Sequence, residues 1–140
     1  MALSLQERQE FLAQPHIGAL SVSAGQDRAP LTVPIWYEYV IGAELWVLTG
    51  VGSKKMKLLE QAGRFSLMVD TVKPRVRYVT ASGPITRVTP ITDEQHREMA
   101  ARYLPADKVE AYLAEAATFG AQVAVYMRPE HWLSADLGSG

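Results

Sequence analysis

The sequence of 140 residues contains no cysteine. Disulfide bonds, zinc–thiolate sites, iron–sulfur clusters and cysteine nucleophiles are therefore excluded. The chain also has no excess of charge of either sign. With 14 basic and 15 acidic residues, it has no overall positive field that would favour nucleic acid or an anionic membrane. No stretch has the unbroken apolar character of a membrane span or a signal peptide. We expect one cytoplasmic domain covering residues 1–140 that binds neither nucleic acid nor membrane.

Familiar catalytic motifs are missing as well. The patterns G-x-G-x-x-G, G-x-S-x-G and the P-loop do not occur, so a Rossmann dehydrogenase, an α/β-hydrolase and an NTPase are unsupported. The histidines at positions 16, 96 and 131 are widely separated, and none has a carboxylate at metal-site spacing. We therefore predict no metal ligand and no catalytic acid–base residue.

Two-residue periodicity predicts six strands joined mostly by short turns. They are HIGALSVSA, PLTVPIWYEYV, LWVLTG, RFSLMVD, RVRYVTASGPITRV and AQVAVYMRP. Pro34 cannot donate to a strand ladder, so the second strand is expected at an edge or a bulge. The long fifth strand is expected to bend near Gly83. The closing segment EHWLSADLGSG is predicted to be an irregular tail.

Helix signals separate or flank these strands. Capping boxes of Ser4 with Glu7 and Thr92 with Gln95 predict two helix starts, and Pro105 divides the late helical region in two. The predicted fold class is mainly β with flanking helices, a six-stranded antiparallel barrel. Four aromatic residues between positions 36 and 46 exceed what one small core should hold, so we expect a homodimer to bury the surplus.

One short stretch, TGVGSKKMK at residues 49–57, concentrates positive charge in a chain of net charge −1. Ser53 can cap a helix that ends at Gly63, with Lys54 and Lys55 in its first turn. Cations are unfavourable at a helix N-terminus unless an anion lies between them, so the pattern indicates a phosphate site. The alternative is a solvated lysine-rich face that only aids solubility.

The order of these segments resembles the pyridoxamine 5′-phosphate oxidase-like split-barrel family, and in particular its flavin- or deazaflavin (F420)-dependent reductases. The shared elements are the strands P-x-W-Y and W-x-x-T, the helix start S-x-K, and the strands R-x-S-L-x-V-D and Y-V-x-x-x-G-x-x. They span roughly residues 16–90, and HWLSADLG is similar to a family tail. The resemblance implies a homodimeric split β-barrel with two cofactor sites at the subunit interface.

The resemblance also implies which residues bind the cofactor. Ser53, Lys54 and Lys55 would hold its phosphate, Leu48 and Thr49 would lie along the ring system, and Val33, Pro34 and Ile35 would line the other ring edge. Tyr78 stands where flavin-binding relatives place a polar ring or ribityl contact. Trp132 lies in the tail that, in the oxidase, reaches the cofactor of the partner subunit.

The chain departs from the vitamin B6 oxidase at several positions. The strand that carries an arginine and a lysine for FMN in that enzyme is LTVPIW here, and tyrosine replaces the glutamine expected near position 78. Oxidation of pyridoxamine phosphate is therefore not expected, and F420 is at least as good a candidate as FMN.

Two classes of function follow from the resemblance. The first is an oxidoreductase that moves a hydride between F420 or FMN and a small conjugated organic substrate, where the cofactor supplies the redox chemistry. The second is a protein that binds or sequesters F420, FMN or haem without turnover, since fold alone does not fix function.

Overall fold

The computed structural model describes all 140 residues, which form eight strands and four helices. In chain order the elements are α1 (Leu5–Ala13), β1 (Gly18–Val22), β2 (Leu31–Ile35), β3 (Tyr37–Tyr39), β4 (Leu45–Gly50), α2 (Lys54–Ala62), β5 (Arg64–Thr71), β6 (Arg75–Pro90), α3 (Asp93–Tyr103), α4 (Ala106–Ala116), β7 (Gln122–Met127) and β8 (His131–Ser139).

All strand pairs are antiparallel, in the order β2-β1-β5-β6-β7-β4-β3, with β8 added beside β6. The two ends of this path, β2 and β3, are separated along the chain by Trp36 alone. The sheet must therefore curl until its edges approach each other, which is the geometry of a split barrel. We call this junction of β2, Trp36 and β3 the seam.

The helix signals in the sequence are confirmed. Ser4 with Glu7 and Thr92 with Gln95 both form complete capping boxes. Ser53 caps α2, and Gly63 ends it in the left-handed conformation at φ 72°. Pro34 lies on the edge strand β2, as its missing N–H requires.

Strand β6 pairs with different neighbouring strands along its two halves. Its residues up to Pro84 pair with β5, and those from Ile85 onward pair with β7, with a register shift between Ile85 and Arg87. Gly83 marks the transition, because a Cβ atom at this position would overlap the backbone carbonyl of Arg128. The predicted bend near Gly83 is thus where one strand passes from one set of neighbours to another.

The prediction of an irregular tail is wrong. Residues His131–Ser139 form β8, which pairs with β6 from Arg75 to Ser82. The Asp136 carboxylate accepts hydrogen bonds from the Nε atoms of Arg75 and Arg77, both at 2.8 Å, and from the backbone N–H of Gly138 at 2.9 Å. These donors hold the pKa of Asp136 well below its usual range. The local sequence gives no sign of the two arginines, which lie about sixty residues earlier.

The predicted second strand is also divided in two at Trp36, so the sheet has eight strands where the sequence predicts six. The expectation of surplus exposed aromatic residues is wrong in part: Tyr37, Tyr39 and Trp46 are each at most 8% exposed within the single chain. Only Trp36 of the four is half-buried. Burial of aromatic surface is therefore not an argument for a dimer here.

None of the four helices is both long and apolar enough to cross a membrane.

Candidate functional site

A cleft of about 470 Å³ opens beside the seam, within the range of roughly 300–1,000 Å³ that small-molecule sites occupy. Three parts of the chain that are distant in sequence build its walls: the seam, the end of β4 with the start of α2, and the α4 region. Its lining residues are Ile17, Pro34, Ile35, Trp36, Leu48, Thr49, Gly50, Lys55, Tyr112, Phe119 and Gln122.

The turn from β4 into α2 is fixed by its own hydrogen bonds. The Ser53 hydroxyl accepts the Met56 N–H at 3.1 Å and lies 3.1 Å from the hydroxyl of Thr49, which is 3% exposed. The Ser53 N–H donates to the Gly50 carbonyl at 3.2 Å. This turn therefore places Lys55, the second residue of α2, on the wall of the cleft.

The positive charge at this helix start is not neutralised within the chain. The first turn of α2 contains no acidic residue, and Lys54, Lys55 and Lys57 take part in none of the ion pairs of the molecule. A helix also leaves its first backbone N–H groups without intrahelical acceptors. Donors, dipole and ammonium groups all favour an anion at this end of the cleft.

The glycines of the same turn are not required by the fold. A Cβ atom at Gly50 or Gly52 would meet no atom within 4 Å, and neither residue has a positive φ. The backbone of the turn is therefore open on the side where a ligand would approach.

Aromatic side chains, among them Trp36 and Tyr112, form another part of the cleft wall. The Trp36 ring stacks on Tyr103, with centroids 4.9 Å apart and planes at 14°, and lies 5.2 Å from the ring of Tyr112. The Tyr103 hydroxyl donates to the carbonyl of His16 at 2.8 Å and accepts the N–H of Tyr37 at 3.2 Å. Helix α3 thereby fixes the seam, and through it the orientation of Trp36.

Tyr112 has one polar neighbour. Its hydroxyl lies 3.3 Å from Nε2 of His96, whose ring meets the Tyr112 ring edge-on at 5.6 Å. Burial raises the pKa of Tyr112 and lowers the pKa of His96. The phenol therefore keeps its proton and the imidazole is neutral at neutral pH.

Another group with a shifted pKa, Glu38, lies on β3 outside this cleft. Burial and the nearby Glu98 carboxylate raise its pKa to about 7, although the charge of Arg102 opposes the shift. Its Oε2 atom is buried without a hydrogen-bond partner. No group of three or more histidine, aspartate or glutamate side chains is arranged to hold a metal ion.

The ten predicted cofactor residues fall into three groups: those at the cleft, those at other depressions, and those on the sheet away from the cleft. Pro34, Ile35, Leu48, Thr49 and Lys55 line the cleft together. Ser53 lies directly behind them through its contact with Thr49.

Val33 and Lys54 border other depressions. Val33 lies beside a shallow cavity on the outer face of β1 and β2, and Lys54 beside one between α2 and the β1–β2 turn. Both are close in sequence to residues of the cleft without lining it in this chain.

Tyr78 and Trp132 lie on opposite faces of the sheet. Tyr78 alternates with the buried Val79 and therefore points outward from β6, opposite Asp70. Trp132 packs against the main core, with the Arg8 guanidinium 4.7 Å from its ring. Neither lines the cleft of a single chain, and the roles assigned to all ten residues stay predictions.

Sequence reasoning missed the aromatic wall. Tyr112 and Phe119 come from the helical region more than sixty residues after β4, and nothing in the local pattern of α4 connects them to it. Trp36 directly follows Pro34 and Ile35, which the sequence assigns to the site, and this adjacency is the one signal that points to it.

The chain is similar to known proteins in both sequence and structure. Residues 4–135 match the model of the family described as pyridoxamine 5′-phosphate oxidase. No curated protein sequence gives a significant match.

Several solved structures share the fold. A conserved hypothetical protein from Mycobacterium tuberculosis aligns at 21% identity over 97% of this chain and 86% of its own, with a TM-score of 0.72. An F420 reductase aligns at 19% identity over 89% and 94%, with a TM-score of 0.68. A FAD-binding protein from Mesorhizobium loti aligns at 21% identity over 97% and 96%, with a TM-score of 0.64. At these identities the likeness establishes the fold.

Proposed function

We propose, because the chain belongs to the pyridoxamine 5′-phosphate oxidase family, that it is a flavin- or deazaflavin-dependent oxidoreductase. It transfers a hydride between F420 or FMN and a small conjugated organic substrate. The observation that carries the proposal is the cleft in which Lys55 and the unneutralised start of α2 face an apolar and aromatic wall.

The residues of the cleft fit such a cofactor. Both candidates combine a flat ring system with a phosphate on a flexible chain. Apolar groups of Pro34, Ile35 and Leu48 offer a surface for the ring, and Lys55 with the first turn of α2 offers the anion site. Strand β2 carries no charged residue that would add contacts to FMN, which favours F420.

In the mechanism that we propose, the bound cofactor supplies the hydride chemistry. Lys55 and the α2 backbone would bind the phosphate and so hold the cofactor at the helix start. Thr49, held by Ser53, fixes the end of β4, which would line the ring system. Trp36, immobilised by Tyr103, excludes water and presents a flat surface to the substrate.

We also propose that the protein is a homodimer formed through the outer face of the sheet. One row of register partners crosses five strands on this face: Pro34, Ala19, Met68, Thr80 and Leu133. Leu133 is 62% exposed in the single chain. Pro34 belongs to both this row and the cleft, so a partner on this face would lie next to the cofactor site.

The test is a fluorescence titration of the purified protein with F420 and, separately, with FMN. We expect binding in the micromolar range or tighter, and at least about tenfold weaker binding after Lys55→Ala, because one charge-assisted contact to phosphate is worth about 1.5–3 kcal/mol. Lys57→Ala is the matched control: Lys57 is on the same helix, is exposed and does not line the cleft. Its affinity should stay within twofold of the wild type.

The outcomes separate the alternatives. Absence of binding at tens of micromolar, or equal effects of the two substitutions, contradicts the proposed site. Binding without reduction of any enone, quinone or nitro compound by the loaded protein would instead support a protein that sequesters its cofactor.

A further inference from the structure

A second cavity, of about 440 Å³, lies behind the wall of the cleft. His96 lines this cavity and not the cleft, whereas Tyr112 lines the cleft and not the cavity. The contact of 3.3 Å between the Tyr112 hydroxyl and His96 Nε2 is therefore a polar connection from one to the other. Apart from Gln122, which lines both cavities, the neighbouring side chains include the apolar Trp36 and Phe119 on the cleft side and Leu113 and Ala116 on the other.

Reduction of a conjugated carbonyl compound needs a proton as well as a hydride. When a hydride is added to the β-carbon, the electron pair of the C=C bond moves onto the carbonyl oxygen and gives an enolate. The enolate then takes a proton at its α-carbon. A site that excludes water must supply this proton from a side chain or through a relay.

We propose that Tyr112 is the acid that protonates the reduced substrate in the cleft, and that His96 returns a proton to it from the second cavity. This inference rests on the proposed function, since it concerns the same cleft. Tyr112 is the only side chain of the cleft wall that combines an O–H group, an aromatic contact with Trp36 and a titratable partner.

The step balances as follows. The substrate receives a hydride, with its two electrons, from the reduced deazaflavin or flavin, and a C–H bond forms at the β-carbon. The O–H bond of Tyr112 breaks, and its proton forms the second C–H bond at the α-carbon. The tyrosinate takes the proton of His96 Nε2 while His96 Nδ1 takes a proton from a water molecule in the second cavity, and the hydroxide left there is neutralised by a proton from bulk solvent. The cofactor is oxidised, the substrate is reduced and Tyr112 regains its proton. His96 is left with its proton on Nδ1 and returns to the Nε2–H tautomer by proton exchange with solvent in the second cavity.

The environment suits both roles. Because burial raises the pKa of Tyr112, the proton is present at neutral pH and leaves only for a strong base such as an enolate. Because burial lowers the pKa of His96, the ring is neutral and can act as both donor and acceptor through its two nitrogen atoms. The charges near His96 are those of Asp93 and Arg97, and Arg97 is already paired with Glu110.

The first test compares two acceptors with the cofactor-loaded protein and its Tyr112→Phe variant. 2-Cyclohexen-1-one gives a strongly basic enolate that needs an acid, whereas menadione gives a weakly basic hydroquinone anion that does not. We expect Tyr112→Phe to slow enone reduction at least a hundredfold, the lower end of the usual contribution of a general acid, and to change menadione reduction less than threefold. Cofactor affinity should stay within threefold.

Tyr126→Phe is the matched control, because its hydroxyl also has one side-chain partner, Gln95, but lies outside the cleft. It should change neither reaction. Equal slowing of both acceptors by Tyr112→Phe would assign Tyr112 to substrate binding and overturn the proposal, as would an unchanged enone rate. A wild-type protein that binds cofactor but reduces neither acceptor overturns the proposed function and this inference together.

The second test needs neither cofactor nor activity. NMR titration of the ring nitrogens of His96 in the cofactor-free protein reports the hydrogen bond directly. We expect Tyr112→Phe, but not Tyr126→Phe, to change the tautomer signature and the pKa of His96. An unchanged His96 titration in Tyr112→Phe overturns the relay, whatever the outcome with the two acceptors.

Discussion

Glu38 is the carboxylate whose proton affinity the fold raises most clearly. Its buried Oε2 atom has no hydrogen-bond partner, and Glu98 adds a second negative charge nearby, so its pKa rises from the usual 4.5 to about 7. Between these two values the folded protein binds more protons than the unfolded chain. The free energy of unfolding must therefore fall as the pH rises from about 4.5 to about 7.

The variant Glu38→Gln should remove this dependence. We expect it to raise the free energy of unfolding at pH 8 by about 1 kcal/mol, less than the full pKa shift implies because the side chain is only half-buried. Chemical denaturation of both proteins at pH 5 and pH 8 measures the effect. A wild-type advantage at pH 8 would contradict it. Glu60→Gln, at an exposed position of α2 that takes part in no ion pair, is the control and should behave like the wild type.

At the level of single residues, the sequence is informative where a local rule is broken. Lysines at a helix N-terminus conflict with the dipole, and this conflict draws attention to the stretch that contains Lys55, which lines the cleft. Tyr112 breaks no local rule, because a tyrosine in an amphipathic helix is ordinary. Its significance depends on Trp36 and His96, which other elements place beside it. Such a contact is not encoded in local sequence.

Among the elements, α2 shows most directly how local sequence determines the position of the site. The Ser53 hydroxyl both accepts the Met56 N–H and contacts Thr49, so one side chain begins the helix and fixes it to β4. Strand β8 shows the opposite case. Its weak alternation predicts an irregular segment, whereas its pairing depends on the arginines of β6.

Ser53→Ala should lower the free energy of unfolding by about 1 kcal/mol, the usual cost of a lost N-cap, and should also weaken cofactor binding because the first turn of α2 loses its fixed position. Urea denaturation and the cofactor titration measure the two effects. Ser4→Ala removes the equivalent cap of α1, far from the cleft, and is the control. It should lower stability by a similar amount and leave affinity unchanged. Equal losses of affinity in both variants would show that only global stability matters.

For the whole molecule, the sequence predicts the family and the curled antiparallel sheet, since turn signals and strand order are written along the chain. It does not predict how the sheet closes. The division of one apparent strand at Trp36 places β2 and β3 at opposite edges of the sheet path, and this depends on all seven strands of that path. The same closure creates the cleft.

The proposed dimer gives a prediction at this scale. Leu133→Asp should convert the dimer to a monomer at micromolar concentration, because it places a charge at an exposed apolar position of the proposed interface. Light scattering coupled to size-exclusion chromatography measures the mass. Ile41→Asp, at the exposed turn between β3 and β4, is the control and should remain dimeric. A wild-type protein that is monomeric at this concentration contradicts the proposed interface.

The passage of β6 past Gly83 has a consequence for how the protein unfolds. The residues of β6 before this point pair with β5 and β8, and those after it pair with β7, so neither part of the sheet can lose β6 without disrupting the other. Unfolding should then be a single cooperative transition. Amide hydrogen exchange tests this: the N–H groups of the core residues Val79 and Val125, one on each side, should exchange with the same free energy of opening. Unequal values would mean that Gly83 separates two independently unfolding units.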